Sequence, residues 1–217
     1  MKKTIQNLII FGSGPHAKLC LNEANKLYKI KRTFFFDNKT KNKIVIISRK
    51  KYIILRNYLK LKNKISKKTF FFIGIGDNKI RSKVNREIYK MYGSVKWLKI
   101  ISKFSTVDNS VKIEDGTIVL PGSTLNYNSK IGKHTIINTN SSIDHDCEIK
   151  DFVNISPGVN MAGNVIVNDL CKIGIGSNII DKIKIQKNVT IGGGSFVNKN
   201  CTKNLMYVGL PAKIYKR

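Results

Sequence analysis

The chain has 217 residues, 41% hydrophobic and 24% charged, the composition of a globular protein with room for two small domains. No run reaches the ~18 uninterrupted apolar residues of a membrane span, and Gln6, Asn7 and Gly12-Ser13-Gly14 interrupt the N-terminus before a signal-peptide core can form, which reads as a cytoplasmic protein. The formal charge of +27 rests on 34 Lys and only 6 Arg spread along the whole chain, which reads as a lysine-biased composition and not as a specific nucleic-acid interface, where bidentate Arg contacts dominate, although the positive field would help capture anionic small molecules.

The first half alternates strand and helix patterns. Ile5 to Phe11 reads as a strand ending at Gly12-Ser13-Gly14, followed by a helix from His16 to Tyr28. Thr33 to Phe36 is a second strand, ending in Asp37-Asn38. Ile44 to Ile47 is a third, and Tyr52 to Leu61 reads as helical. Thr69 to Ile75 is a strand ending at Gly76-Asp77-Asn78, with a helix from Lys79 to Tyr92. Such alternation predicts a parallel sheet covered by helices, a Rossmann-like α/β domain over residues 1–97. In these sheets ligands bind beyond the carboxyl ends of the strands, where this chain places Gly12, Ser13, Gly14, Asp37, Asn38 and Gly76. A glycine turn lets backbone N–H groups approach a phosphate or a base, and an Asp after the second strand can accept from a ribose or base. Gly12-Ser13-Gly14-Pro15-His16 is not a full G-x-G-x-x-G fingerprint. His16 reads equally as a helix-start or a nucleotide-site residue.

The second half keeps a different beat. From Ile101 to Val197 every sixth residue is aliphatic, seventeen in succession with no insertion. Two residues before each stands a small or β-branched residue, among them Ser129, Thr135, Ser141, Cys147, Cys171 and Ser177. Period six fits neither a 3.6-residue helix nor a flat strand. It fits short strands joined by regular corners, with the aliphatic side chain inside a prism and the small residue near the corner, each turn stacking on the last at ~4.8 Å.

This pattern, [LIV]-G-x-x-[STAV]-x, resembles the hexapeptide-repeat acyltransferases. That resemblance implies an all-β left-handed parallel β-helix over residues 98–217, three hexapeptides per coil, and a homotrimer with active sites between neighbouring helices. Together the two halves resemble the NeuD/PglD group of sugar acetyltransferases, through Gly12-Ser13-Gly14-Pro15-His16, Phe36-Asp37-Asn38, Gly76-Asp77-Asn78-Lys79-Ile80-Arg81, Asp144-His145-Asp146-Cys147, Ala162-Gly163-Asn164-Val165, Gly192-Gly193-Gly194 and Gly209-Leu210-Pro211-Ala212. The resemblance implies an acetyl-CoA-dependent N-acetyltransferase in glycan or surface-polysaccharide synthesis. The N-terminal domain would hold a UDP-type 4-amino-sugar through the six residues named above, and the trimeric helix would hold acetyl-CoA.

Acetyl transfer to an amine needs a base, an electrophilic thioester and close positioning. His145 lies between Asp144 and Asp146, and a carboxylate on one ring nitrogen raises the basicity of the other. The resemblance assigns that carboxylate to Asp146, where relatives commonly have Glu. It also carries Asn154, Gly163, Ile175 and Gly193 over as acetyl-CoA contacts, the two glycines giving close approach to the pantetheine arm and adenine. Asn154 stands where PglD-like enzymes place a second His. Lys182, Lys184 and Lys187 are candidate phosphate partners, and Gly209 to Ala212 is a turn carrying the chain out of the prism. His134 reads as a surface residue. Cys20, Cys147, Cys171 and Cys201 form no C-x-x-C pair and read as buried thiols, so no metal site is predicted. O-acetylation of a sialic acid or related sugar is the nearest alternative. A zinc hydratase would need three histidines gathered at the trimer interface, and only His134 and His145 lie in the repeat.

Overall fold

A computed structural model describes residues 2–215. The chain forms two compact units, Met1–Ile100 and Ile101–Arg217.

The first unit is built on a six-stranded sheet: β1 (Thr4–Phe11), β2 (Lys29–Phe36), β3 (Ile44–Ile47), β4 (Lys50–Leu55), β5 (Thr69–Ile73) and β6 (Lys96–Trp97), in the order β3-β4-β2-β1-β5-β6. β1 lies between β2 and β5, parallel to both. Its run Leu8-Ile9-Ile10-Phe11 is buried throughout, as a strand covered on both faces requires. The helices are α1 (Pro15–Leu27), α2 (Tyr58–Lys62) and α3 (Asn78–Tyr92). Asp77 caps α3, its Oδ1 accepting from the Ile80 N–H at 2.8 Å, which satisfies a donor the helix start leaves open.

One segment departs from the sequence reading. Tyr52 to Leu55 is not helical. It belongs to β4, which runs antiparallel to β3 and parallel to β2, and only Tyr58–Lys62 forms a short helix. The hairpin closes through Ser48 and Arg49, both at positive φ (47° and 66°). A two-residue turn with both central residues left-handed usually announces itself by Asn-Gly. Here neither residue carries that signal, and the apolar run after it has Ile53 exposed but Ile54 and Leu55 both buried, so it lacks the strict alternation that marks a strand.

The second unit is a left-handed parallel β-helix of two-residue strands. Face one runs through Ile118–Val119, Ile136–Ile137, Asn154–Ile155, Lys172–Ile173 and Thr190–Ile191, face two through Thr124–Leu125, Ser142–Ile143, Asn160–Met161, Asn178–Ile179 and Phe196–Val197, and face three through Lys130–Ile131, Glu148–Ile149, Ile166–Val167 and Lys184–Ile185. Partners along each face stand 18 residues apart, as Ser142 with Asn160 or Glu148 with Ile166, so three hexapeptides make one coil. The sixth-residue aliphatics from Val119 to Val197 form one continuous buried core, while Ile101, Val107 and Ile113 at the first coil are only partly covered.

The small residues are buried for a second reason beyond size. Their hydroxyls and thiols donate to a carbonyl 15 residues on, in the next coil: Ser129 Oγ to Asp144 O (2.7 Å), Thr135 Oγ1 to Lys150 O (2.8 Å), Cys171 Sγ to Gln186 O (2.9 Å) and Ser177 Oγ to Gly192 O (2.9 Å). The corner itself is the residue before each small one. Every sixth residue from Gly116 to Gly194 has φ between 53° and 75°, fourteen in succession. Most are Gly or Asn, which tolerate left-handed backbone, while Phe152, Leu170 and Lys182 hold it with ordinary side chains.

His134 is one of these corner residues, and it is buried, not on the surface. Its ring fills the space beside Gly116 and stacks on Phe152 with centroids 5.1 Å apart. At the C-terminus Met206–Val208 adds to face one and pairs antiparallel with Lys213–Ile214. The Gly209–Ala212 turn between them is bonded to the end of face two, Gly209 O accepting from Phe196 N and Ala212 N donating to Phe196 O. Among the described residues no helix is long and apolar enough to cross a membrane.

Lys182 is a corner whose side chain makes only an exposed contact with Asp181 at 3.7 Å. Lys182→Gly keeps its backbone bond to Gly163 O and removes the left-handed penalty. It is expected to stabilise the protein by about 1 kcal/mol, read as a higher urea midpoint at unchanged slope.

Candidate active site

The carboxyl ends of β1, β2 and β5 open into a cleft of about 500 Å³. Gly12, Ser13, Gly14, Asp37, Asn38 and Gly76 all line it, so the structure brings together every substrate residue expected from sequence. Asp37 ties two of the loops: Oδ2 accepts from Ser13 N (3.1 Å) and Ser13 Oγ (2.6 Å), and Oδ1 accepts from Lys39 N (3.1 Å). Gly12 is required by its backbone. Its φ is 92°, and a Cβ there would lie 2.8 Å from Ile75 Cγ1.

Beneath the β5–α3 loop lies Arg81, 1% exposed, a residue whose role the sequence did not reveal. Its guanidinium donates to Ile75 O (2.9 Å), Gly76 O (3.0 Å) and Asn78 Oδ1 (2.9 Å), fixing the loop that carries Gly76. Burial lowers its pKa to about 10, so it stays charged at neutral pH. His16, the second residue of α1, also lines the cleft, which makes it both helix-start and cleft residue. Burial, and next the Arg81 charge, lower its pKa to about 4. It presents a neutral imidazole, 3.6 Å from Cys20 Sγ.

In the β-helix, His145 stands at the corner between faces two and three. Its Nδ1 lies 2.9 Å from Asp146 Oδ2, and both side chains are partly exposed. The carboxylate can only accept, so Nδ1 carries the proton and Nε2 holds the free lone pair. The hydrogen bond to Asp146 raises the His145 pKa above the ordinary imidazole value, outweighing desolvation, and the charges of Asp144 and Asp146 add to the rise. Asp146 is itself held low, first by the Asn128 side chain and then by His145. The ring lies over Gly163 in the next coil: a Cβ there would be 2.6 Å from both Cε1 and Nε2 of His145. The four thiols are buried, and burial raises the pKa of Cys147 to about 11, Cys171 to about 12, Cys201 to about 11, and that of Cys20 as well. Such thiols are poor nucleophiles.

Residues 7–88 match the family described as the PglD N-terminal domain.

The chain as a whole is similar to three solved structures. One is the acetyltransferase domain of PglB from Neisseria gonorrhoeae FA1090 in complex with acetyl coenzyme A (TM-score 0.87, 25% identity, 97% of this chain and 100% of that one). Another is PerB from Caulobacter crescentus in complex with CoA and GDP-perosamine (TM-score 0.83, 25% identity, 98% of each chain). The third is WeeI from Acinetobacter baumannii AYE (TM-score 0.84, 26% identity, 98% and 100%). No curated protein sequence matches the chain.

The first unit thus carries the whole expected substrate set in one cleft. The expected acetyl-CoA residues of the β-helix are more scattered. Gly163 sits with His145 at one margin of face two, and Ile175 and Gly193 sit together at the other, a Cβ on Gly193 falling 3.1 Å from Ile175 Cγ2. Asn154 stands on face one, paired with Ile136 and Lys172. Between the two margins face two carries a groove of about 530 Å³ lined by Ser142, Asp144, Asn160, Ala162, Asn178 and Phe196 among others. The space a Cβ at Gly163 would take is filled by the imidazole, so this glycine makes room for His145.

Proposed function

We propose that the protein is an acetyltransferase that moves an acetyl group from acetyl-CoA to the amino group of a nucleotide-linked 4-amino-sugar. The observation that carries the reading is the His145–Asp146 pair, with Nε2 left basic beside Gly163, on a chain that also carries a PglD N-terminal domain. PglB, crystallised with acetyl coenzyme A, and PerB, crystallised with CoA and GDP-perosamine, support the donor and the acceptor class.

The chemistry follows from the groups present. The neutral amine attacks the thioester carbonyl, forming a C–N bond. His145 Nε2 takes the proton the nitrogen loses, the tetrahedral intermediate expels the CoA sulfur, and the proton passes to that sulfur as CoA leaves. An amine needs no covalent relay, and the buried thiols offer none. In the cleft, Gly12, Ser13, Gly14 and Gly76 would bring backbone toward the nucleotide. Asp37 would hold the loops that shape it, with Lys39 and Lys83 supplying positive charge for the diphosphate. Asn154, Gly163, Ile175 and Gly193 are proposed acetyl-CoA contacts. A homotrimer would place a second copy against each helix.

The test is incubation of the purified protein with acetyl-CoA and UDP-, GDP- and dTDP-linked 4-amino-sugars, with free CoA thiol and product mass as readouts. A UDP-linked acceptor is expected to give the highest kcat/KM. Acetylation of a sialic acid hydroxyl in preference to all of them would replace N- by O-acetyl transfer. Release of CoA with no acceptor acetylated would reject the proposal.

A further inference from the structure

His145 and Asp146 are neighbours in sequence with side chains 50% and 38% exposed. Side chains so placed exchange rotamers on the ps–ns scale unless something holds them. The two acids beside the imidazole are held differently. Asp144 uses Oδ1 for the His145 backbone N–H (2.8 Å) and the Asn126 amide (3.1 Å), so it fixes the main chain of the turn. Asp146 turns Oδ2 to the ring and Oδ1 to Asn128, whose Nδ2 donates at 2.7 Å from the preceding coil. The amide orientation has no alternative, since the flipped form would set its oxygen against a carboxylate.

Asn128 is itself anchored. Its backbone N–H donates to Ser110 Oγ (2.7 Å), and that hydroxyl donates to Asp108 Oδ1 (2.5 Å). It is a left-handed corner with φ 58°, a place where glycine would serve the backbone as well. What glycine lacks is the amide. Resting on the functional reading above, we propose that Asn128 is a positioning residue for the catalytic base, clamping the Asp146 carboxylate so that its other oxygen stays on His145 Nδ1. No residue of the sequence motifs pointed to it, because it lies 18 residues from Asp146 and meets it only through the stacking of coils. The charged groups acting on the ring and its carboxylate are Asp144 and Asp146 on its own turn and Lys130, acting on Asp146 from the coil before.

Two variants of the full-length protein test the clamp. Asn128→Gly keeps the corner and removes the amide, freeing Asp146 to leave the ring. It is expected to lower kcat about ten-fold, the lower end of what outer-shell partners of a reactive group contribute, with both KM values unchanged. The His145 Cε1–H titration midpoint, followed by NMR and assigned with His145→Ala, is expected to fall, as is that of Asp146→Asn. Asn128→Asp sets a carboxylate against the Asp146 carboxylate in place of the amide donor, and is expected to lower kcat at least as far, again with KM unchanged. A corner of purely structural value would leave the midpoint of Asn128→Gly where it stands in the parent. An unmoved midpoint or an unreduced kcat in Asn128→Gly overturns the proposal. Should no acceptor be acetylated by the parent protein, the functional reading fails while the Asn128→Gly titration still decides the role of Asn128.

Discussion

His145→Ala is expected to lower kcat by about 10²–10⁴-fold, the usual contribution of a positioned general base, while the melting temperature stays near that of the parent. The side chain is half exposed and contributes nothing to the aliphatic core, so its loss leaves the prism intact. The pH dependence carries the sharper signature. The base works only when Nε2 is unprotonated, so kcat should rise with pH through the pKa of His145 in the bound complex. Hydrogen bonding to Asp146 raises that pKa, which sets the acid limb above the ordinary imidazole range. Asp146→Asn removes the charge and lets an amide N–H face Nδ1, so the limb should move to lower pH while the plateau drops, because the ring is no longer fixed in the Nδ1–H tautomer. A rate in His145→Ala equal to that of the parent across the pH range would remove the imidazole from the reaction.

The repeat was legible because burial in a prism imposes one rule at every sixth position, and seventeen aliphatics in succession state it without ambiguity. The handedness of the corners was also written in the sequence, three residues after each aliphatic, as Gly122, Asn128, Asn140, Gly158 and Asn164 show. Phe152, Leu170 and Lys182 blurred that second rhythm by paying the left-handed cost with side chains that do not advertise it. The β3–β4 hairpin was misread for the same reason, since Ser48 and Arg49 turn the chain without glycine or asparagine. In the site, His145 and Asp146 could be read because they are adjacent. Arg81 could not, because two of its partners are backbone carbonyls of Ile75 and Gly76, which carry no side-chain signature. Asn128 and Gly163 act across one coil, and the 18-residue step that joins them to Asp146 and His145 becomes informative only once three faces are known.

Gly163→Ala separates room for the base from room for the cofactor. Gly163 does not have a left-handed φ, so alanine fits its backbone without strain, and the three atoms nearest the added methyl all belong to His145. It would meet His145 at 2.6 Å from Cε1 and Nε2, well inside contact distance. The ring is the part free to move, and moving it breaks the 2.9 Å contact with Asp146 and carries Nε2 off line. A misplacement of about 1 Å costs on the order of 10²-fold in rate, so kcat should fall by about that factor with little change in melting temperature or in KM for acetyl-CoA. The His145 titration midpoint should drop toward the free imidazole value as the carboxylate is lost. Combining Gly163→Ala with His145→Ala should cost no more than His145→Ala alone, because the methyl acts only through the ring it displaces. A raised KM for acetyl-CoA with kcat intact would instead give the space beside residue 163 to the pantetheine arm.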